Sequence, residues 1–253
     1  MHMTSTDMTR RTAVVTGASR GFGRAIATAL AGAGMAVAGV ARNRAALDGL
    51  RAELGSSFTP IVADAADPVV AGQVIDAYRP GLLVLNAGAA PLPRPIQRHT
   101  WQTFSRNWDV DVQHVFHWTR EALLAPLDPG SLVVTLSSGA AVRGSPLSGG
   151  YAGAKATVRF ITAYAASEAE RDGLGIRFVS LLPQLTPVTR LGAAAVAGYA
   201  AREGIEVAAF TERAGPSLTA EQVGKVVLDL AAGGDGAAQG AYLLTAAGLS
   251  PAP

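Results

Sequence analysis

Tyr151 and Lys155 stand four residues apart in a stretch of helical period, Tyr-Ala-Gly-Ala-Lys. That spacing stacks both side chains on one helix face about one turn apart. An ammonium beside a phenol favours the phenolate, so a hydroxyl that ordinarily titrates near ~10 becomes a usable proton donor and acceptor around neutrality. The chain has only two lysines, Lys155 and Lys225, and fills its other basic positions with arginine. A lysine at this position therefore reads as a need for an ammonium. Ser138 precedes Tyr151 by thirteen residues at the end of an apolar run. Its hydroxyl should reach the same crevice and hydrogen-bond a substrate oxygen, while Ser137 should point to the opposite face.

A second constellation lies near the start of the chain, Thr-Gly-Ala-Ser-Arg-Gly-Phe-Gly, with Gly17, Gly21 and Gly23 separated by Ala18, Ser19, Arg20 and Phe22. It falls between a strand-like and a helix-like stretch, where a glycine turn offers backbone N–H groups to a pyrophosphate and the helix N-terminus adds partial positive charge. Enzymes that use NAD usually place a carboxylate about 20 residues further on to hold the ribose hydroxyls. Here that place reads Val-Ala-Arg-Asn-Arg, with Arg42 and Asn43 at its centre. Arg42, helped by Arg20, is suited to a 2′-phosphate, so the expected cofactor is NADP(H).

Positioning these groups requires alternating strands and helices. Apolar runs at 12–16, 35–41, 58–63, 82–86, 131–137, 175–182 and 241–245 alternate with helical stretches at 21–31, 44–54, 68–78, 99–124, 149–172 and 220–231. This predicts an α/β, Rossmann-type doubly wound parallel sheet of seven strands, flanked by helices on both faces. Residues 11–250 are expected to form one catalytic domain behind a disordered tail at 1–10. Residues 185–217 break the alternation with a helix at 191–202 followed by loop. Because the excursion leaves a strand's carboxyl end, it is expected to be a substrate lid. The proline-rich stretch 91–101 should form a pocket wall.

Composition excludes several classes. Of 253 residues, 49% are hydrophobic and 16% charged, which is too apolar for disorder. The net charge of +2 comes from 21 basic and 19 acidic residues without long like-charged blocks, so no nucleic-acid partner is expected. The absence of cysteine excludes disulfides, thiolate nucleophiles and zinc-thiolate sites. The long uncharged run 25–41 is divided by Gly32 and Gly34, so no membrane span is expected. The first nine residues lack the apolar stretch of a secretory signal, which suggests a soluble cytoplasmic protein.

Four motifs in order, Thr16 to Gly23, Asn86-Ala87-Gly88, Ser138, and Tyr151 with Lys155, make the chain similar to the short-chain dehydrogenase/reductase family over nearly its whole length. The resemblance implies Tyr151 as acid/base, Lys155 as the group binding the nicotinamide ribose, and Ser138 as the group orienting a carbonyl. It implies that the turn of Asn86, Ala87 and Gly88 passes beside the cofactor, with Asp64 and Ala65 at the adenine. Asp111 stands at the fourth place of the catalytic set, where the family has an asparagine in the fourth helix; ionised, it would offset part of the effect of Lys155 on Tyr151, and protonated, it would keep the water contact the asparagine makes. Pro183-Gln184 replaces the family's Pro-Gly, with Thr186 and Thr189 as candidates for a threonine that normally follows. The implied assembly is a homodimer or homotetramer through the fourth and fifth helices. The apolar face of Ala156, Phe160 and Ala163 fits either a partner or the core. His99, His114 and His117 are not read as a metal site, and no metal is expected. The implied activity is NADPH-dependent reduction of a small-molecule carbonyl, or the reverse oxidation. Alternatives are reduction of an imine or activated double bond, a non-redox biosynthetic reaction, and a non-catalytic NADP-binding regulatory role.

Overall fold

The apolar runs are strands β1 (Thr12–Thr16), β2 (Ala36–Ala41), β3 (Phe58–Val62), β4 (Leu82–Leu85), β5 (Leu132–Leu136), β6 (Arg177–Pro183) and β7 (Gly240–Thr245). A further strand, β8 (Gly248–Pro251), follows. The computed structural model describes residues 11–233 and 239–253, and the tail expected at 1–10 lies outside them. The strands form one sheet of order β3-β2-β1-β4-β5-β6-β7-β8. All neighbours through β7 pair in parallel. β4 and β5 are buried along their whole length, because helices cover both faces of a parallel sheet.

The seven strands expected become eight. β8 returns antiparallel to β7, with Thr245 opposite Gly248. Its sequence, Gly-Leu-Ser-Pro, carries little apolar signal, and its proline is tolerated because the strand lies on an edge.

The helices are α1 (Gly21–Gly32), α2 (Arg44–Leu54), α3 (Pro68–Tyr78), α4 (Trp101–Ser105), α5 (Gln113–Leu124), α6 (Ala140–Arg143), α7 (Gly149–Arg171), α8 (Arg190–Glu203), α9 (Val207–Ala214) and α10 (Ala220–Ala231). Residues of α1, α2 and α10 pack in one core on one face of the sheet, and residues of α3, α5 and α7 in a second on the other. Gly224 lets α10 approach α1 closely, since a Cβ there would lie 2.8 Å from the Ala25 carbonyl oxygen. Among the described residues, no helix is long and apolar enough to cross a membrane.

Two helical expectations need correction. The stretch 99–124 is not one helix: α4 starts at a capping box of Thr100 and Thr103, and a π-turn, Trp108–Val112, separates it from α5. The Asn107 carbonyl accepts from both Asp111 N at 2.8 Å and Val112 N at 3.3 Å, which widens the backbone by one residue. The stretch after α8, read as loop, contains α9. Stacking of Tyr199 on Phe210 and an ion pair between Arg213 and Glu203 hold it against α8.

The chain turns back on itself between β1 and β4: β2 and β3 extend to one side of β1, and β4 begins on the other. The crevice beyond the carboxyl ends of these strands is where such sheets bind ligands. α7 approaches the segment before the π-turn through Gly150, where a Cβ would lie 2.0 Å from the Phe104 carbonyl oxygen. Gly150→Ala should therefore destabilise the protein by about 1–3 kcal/mol through overpacking against backbone. Gly149→Ala, whose Cβ meets Phe104 at an ordinary 3.5 Å, should be neutral or slightly stabilising in the helix. Urea denaturation of the two variants beside the parent checks the contrast.

Candidate active site

The alanine-rich first turns of α7 carry Tyr151 half-buried and Lys155 buried, with the lysine Nζ 5.7 Å from the phenol ring centroid. Lys155 Nζ donates to the Leu136 carbonyl oxygen at 3.0 Å and lies 3.2 Å from Asp111 Oδ2. The second approach is charge attraction, since it falls outside hydrogen-bonding geometry. Burial alone would push the ammonium's pKa down, but the Asp111 carboxylate and then Tyr151 outweigh it and hold the value above 10.5. Ser138, just beyond β5, accepts from Ala140 N at 3.1 Å and keeps its own proton to donate. Ser137 faces the other way, its hydroxyl donating to the Lys155 carbonyl at 2.7 Å, as strand alternation requires.

Asp111, 1% exposed, also accepts from Ala89 N at 2.7 Å through Oδ1. Asn107 Nδ2 donates to the Ala89 carbonyl at 2.7 Å, so the residue after Gly88 is held from both sides. Gly88 is required beneath the carboxylate, where a Cβ would lie 3.0 Å from Oδ2. The sequence reading missed Asn107. The sequence carries no signal for it, since its partner Ala89 is eighteen residues away.

The glycine turn leaves the end of β1 as a preformed cradle. Thr16 Oγ1 donates to the Val84 carbonyl and accepts from Asn86 N at 2.9 Å and Ala87 N at 3.2 Å, while Asn86 Nδ2 donates to Thr16 O at 3.0 Å. Gly17 has φ of +68°, and a Cβ there would lie 2.7 Å from Asn86 Nδ2. Gly23 leaves room for Gly17 O, only 2.2 Å from where its Cβ would stand. Arg20 precedes α1 without a side-chain cap and the first turn holds no acidic residue, so the first N–H groups and the positive end of the helix remain for a phosphate. Ser19 lies in the turn, Gly21 opens α1, and Phe22 sends its ring into the core, leaving only its backbone for a ligand. The cradle fits a dinucleotide's pyrophosphate.

Beyond the ends of β2 and β3, Arg42 lies 3.5 Å from Asp64 Oδ2, both largely exposed. Asn43 caps α2 by accepting from Ala46 N at 3.1 Å, and Asp64 accepts from Ala66 N at 3.0 Å. Ala65 is buried, its carbonyl accepting from Trp118 Nε1 at 2.8 Å. Beyond β6, the Pro183 carbonyl accepts from Gly139 N at 2.9 Å and Gln184 Nε2 donates to the Pro216 carbonyl at 2.8 Å. Thr186 is buried and donates to the Leu218 carbonyl at 2.7 Å, so its hydroxyl ties the two ends of the 185–217 excursion together. Thr189 caps α8 and lays its methyl 3.8 Å from the Cβ position of Gly21.

The 91–101 stretch lines a cavity to which Ser138, Tyr151 and Lys155 contribute nothing. This cavity, of about 360 Å³, opens between Arg94, His99 and Phe104 on one side, Ser145 and Gly149 on another, and Arg202 of α8. Arg94 N donates to the Leu147 carbonyl at 2.7 Å, and Ser145 bonds Tyr199 of α8.

A family model described as short chain dehydrogenase matches residues 11–200. An uncharacterised short-chain type dehydrogenase/reductase of Sinorhizobium fredii is 34% identical over 178 residues, 68% of each chain. A serine 3-dehydrogenase of Agrobacterium fabrum is 33% identical over 183 residues, 68% of this chain and 70% of that one. An L-xylulose reductase of Bos taurus is 30% identical over 70% of this chain and 73% of its own. Among solved structures, a 3-ketoacyl-(acyl-carrier-protein) reductase of Brucella melitensis complexed with NADH superposes with a TM-score of 0.73 at 23% identity, covering 88% of this chain and 91% of that one. That likeness concerns the fold.

Asp111→Ala would leave the Lys155 charge buried without its counter-ion and Ala89 N without an acceptor. We expect a loss of about 3–5 kcal/mol in urea denaturation at neutral pH. Because the folded pKa of Lys155 is raised, the pair's contribution is complete below pH 10.5 and disappears as pH climbs through the folded value. The gap between parent and variant should therefore narrow from neutral pH into that alkaline range.

Proposed function

Because the chain belongs to the short-chain dehydrogenase/reductase family and is thereby an NAD(P)-dependent oxidoreductase, we propose that it reduces a small-molecule carbonyl with NADPH, or oxidises the matching alcohol. The observation that carries this reading is the buried Lys155 ammonium, held by Leu136 O and Asp111 one helical turn from Tyr151. When bound, the dinucleotide supplies the hydride and accepts it in the reverse direction. Ser138, its oxygen already accepting from Ala140 N, donates its proton to the substrate oxygen and fixes its orientation. Tyr151 gives its hydroxyl proton to that same oxygen as the carbonyl carbon is reduced. Lys155 has three N–H bonds; with one spent on Leu136 O and another directed at Asp111, the third is left for the nicotinamide ribose.

Gly17, Ser19, Arg20, Gly21, Phe22 and Gly23 would hold the pyrophosphate by backbone N–H groups. Asn86, Ala87 and Gly88 would floor the nicotinamide half, and Asp64 with Ala65 would flank the adenine. Arg42 would hold the 2′-phosphate: no carboxylate follows β2 directly, and a phosphate dianion is a stronger partner than the exposed, screened Asp64 at 3.5 Å. Asn43 sits beside it at the α2 cap. Pro183, Gln184 and Thr186 shape the nicotinamide end, and the 185–217 segment with α8 and α9 serves as the lid of one catalytic domain. The names of the relatives point to small polar alcohols and carbonyls as substrates.

Phe160 and Ala163 are exposed and Ala156 is half-buried, so this face of α7 is not core. With Phe160 and Tyr164 stacked and exposed, and Phe116 of α5 also exposed, it suits a homodimer or homotetramer interface.

Tyr151→Phe should lower NADPH oxidation with a panel of ketones and aldehydes by about 10²–10⁴ while leaving cofactor binding, read by nucleotide fluorescence, unchanged. Arg42→Asp should weaken NADPH binding by at least about tenfold, the loss of one charge-assisted contact, and spare NADH. Equal binding of the two dinucleotides by the parent protein would reject the NADP assignment.

A further inference from the structure

The cavity between the 91–101 stretch and α8 lies apart from the groups assigned to the reaction, and its charge is of one sign. The charged residues among those that line it are Arg94 and Arg202, the latter in the last turn of α8. Among the described residues, neither guanidinium makes an ion pair or a hydrogen bond. None of the chain's 19 acidic residues falls within 88–108, 129–167 or 173–202, the three stretches that supply the lining. Glu203, next to Arg202, is taken by Arg213. Gly149 opens α7, whose first turn also holds no acidic residue. A cleft lined by one sign of charge concentrates counter-ions.

Both arginines are fixed by their surroundings while their heads stay unspent. Arg94 N donates to the Leu147 carbonyl at 2.7 Å, and the Arg94 carbonyl accepts from His99 Nε2 at 3.2 Å. Arg202 follows Tyr199 by three residues on one face of α8, and the Tyr199 hydroxyl bonds Ser145 of the same cavity. The remaining lining includes Pro95, Ile96 and Phe104, which are apolar. A volume of about 360 Å³ falls among small-molecule sites, roughly 300–1,000 Å³, where apolar walls hold a carbon body and a few polar groups fix one end. Guanidinium groups recognise carboxylate and phosphate through paired N–H bonds.

We propose that this cavity binds a small organic anion, a carboxylate or phosphate on a short carbon body, whose anionic oxygens are held by Arg94 and Arg202 together. Such a ligand joins the 91–101 stretch to α8. That contact otherwise runs through Gly198, whose Cβ position lies 3.5 Å from Leu147 and 3.6 Å from Pro93. Bound anion therefore steadies α8 against the body of the protein. The anion belongs to the non-reacting end of a substrate or to a separate effector, and the recognising chemistry is the same. Only its assignment to a substrate rests on the oxidoreductase reading.

Amide hydrogen exchange of the full chain tests the site, with inorganic phosphate and 4-oxopentanoate as probes at an ionic strength held constant with chloride. Both anions should slow exchange across 190–203. Arg94→Gln, which lies outside α8, and Arg202→Gln should each raise the half-saturating concentration by at least about tenfold, the loss of one charge-assisted bond. Arg98→Gln removes a cation of the same stretch that does not line the cavity, and should leave that concentration unchanged. No slowing beyond that in chloride, slowing that survives both cavity substitutions, or an equal effect of Arg98→Gln overturns the proposal. Kinetics with NADPH then separate the two sources. A KM for 4-oxopentanoate that rises in both cavity variants, with the KM for neutral 2-pentanone unchanged, places the anion on the substrate. An unchanged KM for both ketones, with exchange still slowed in the parent, makes the ligand an effector. Slowed exchange in a protein that oxidises NADPH with no ketone or aldehyde supports the anion site and overturns the oxidoreductase reading alone.

Discussion

A buried ammonium is the constraint around which the site is arranged. Lys155 is 6% exposed, and burial of an unpaired charge is among the costliest things a fold can do. The sheet supplies one carbonyl, from Leu136 at the end of β5, and the π-turn supplies a carboxylate from Asp111. Those two elements can converge on α7 only because α7 starts with small residues. Gly150 packs against the Phe104 backbone, and Gly153 has its Cβ position 3.4 Å from the Trp108 ring. The charge thus dictates the register of α7 against its neighbours, and that register places Tyr151 one turn away.

The same carboxylate links the chemistry to the cofactor turn. Asp111 Oδ1 accepts from Ala89 N, and Asn107 Nδ2 donates to Ala89 O, so the chain leaving β4 is gripped by both of its backbone polar groups. At the other end of that turn, Asn86 and Ala87 are tied to Thr16 at the end of β1. The segment 86–89 therefore spans the topological switch point with both ends fixed. The fixing groups are an amide, a hydroxyl and a carboxylate, each spent on backbone. A preformed floor costs a ligand little ordering on binding, because the ordering was done in folding.

The parts of the site that were legible in the sequence are those whose residue types have few other uses. Glycines at 17, 21 and 23 between a strand and a helix, and a Tyr and Lys at helical spacing in a chain with two lysines, leave little else to infer. The sheet was legible wherever strands are buried on both faces, as in β4 and β5. β8 was not, because an edge strand needs no apolar run, and Gly-Leu-Ser-Pro has none. The break between α4 and α5 was also invisible. Apolar period continues through 99–124, and what interrupts it is a backbone carbonyl at Asn107 serving two donors. Asn107 itself reads as a surface asparagine until its partner, Ala89, eighteen residues away, is known. Arg42 lies just past the end of β2, and its pairing with Asp64 depends on the β2–β3 register, which residue types do not specify.

The two ends of the crevice obey different electrostatics, and this bears on how such a site diverges. Beyond the ends of β2 and β3, Arg42 and Asp64 are exposed and 3.5 Å apart, so their attraction is screened and each is free to exchange partners at little cost. Beside Tyr151, Lys155 and Asp111 are buried, and removing either leaves an uncompensated charge. Substitution at the exposed pair can therefore proceed at little cost to stability, whereas the buried pair can change only in matched steps. Asp111 is itself such a change. A carboxylate in place of an amide adds a charge beside Lys155, and that charge is tolerable because Ala89 N accompanies the ammonium as a donor and Gly88 leaves room beneath it. The backbone of the 86–89 turn is thus what permits a charged residue at this position, which makes the turn and the acid a single structural unit.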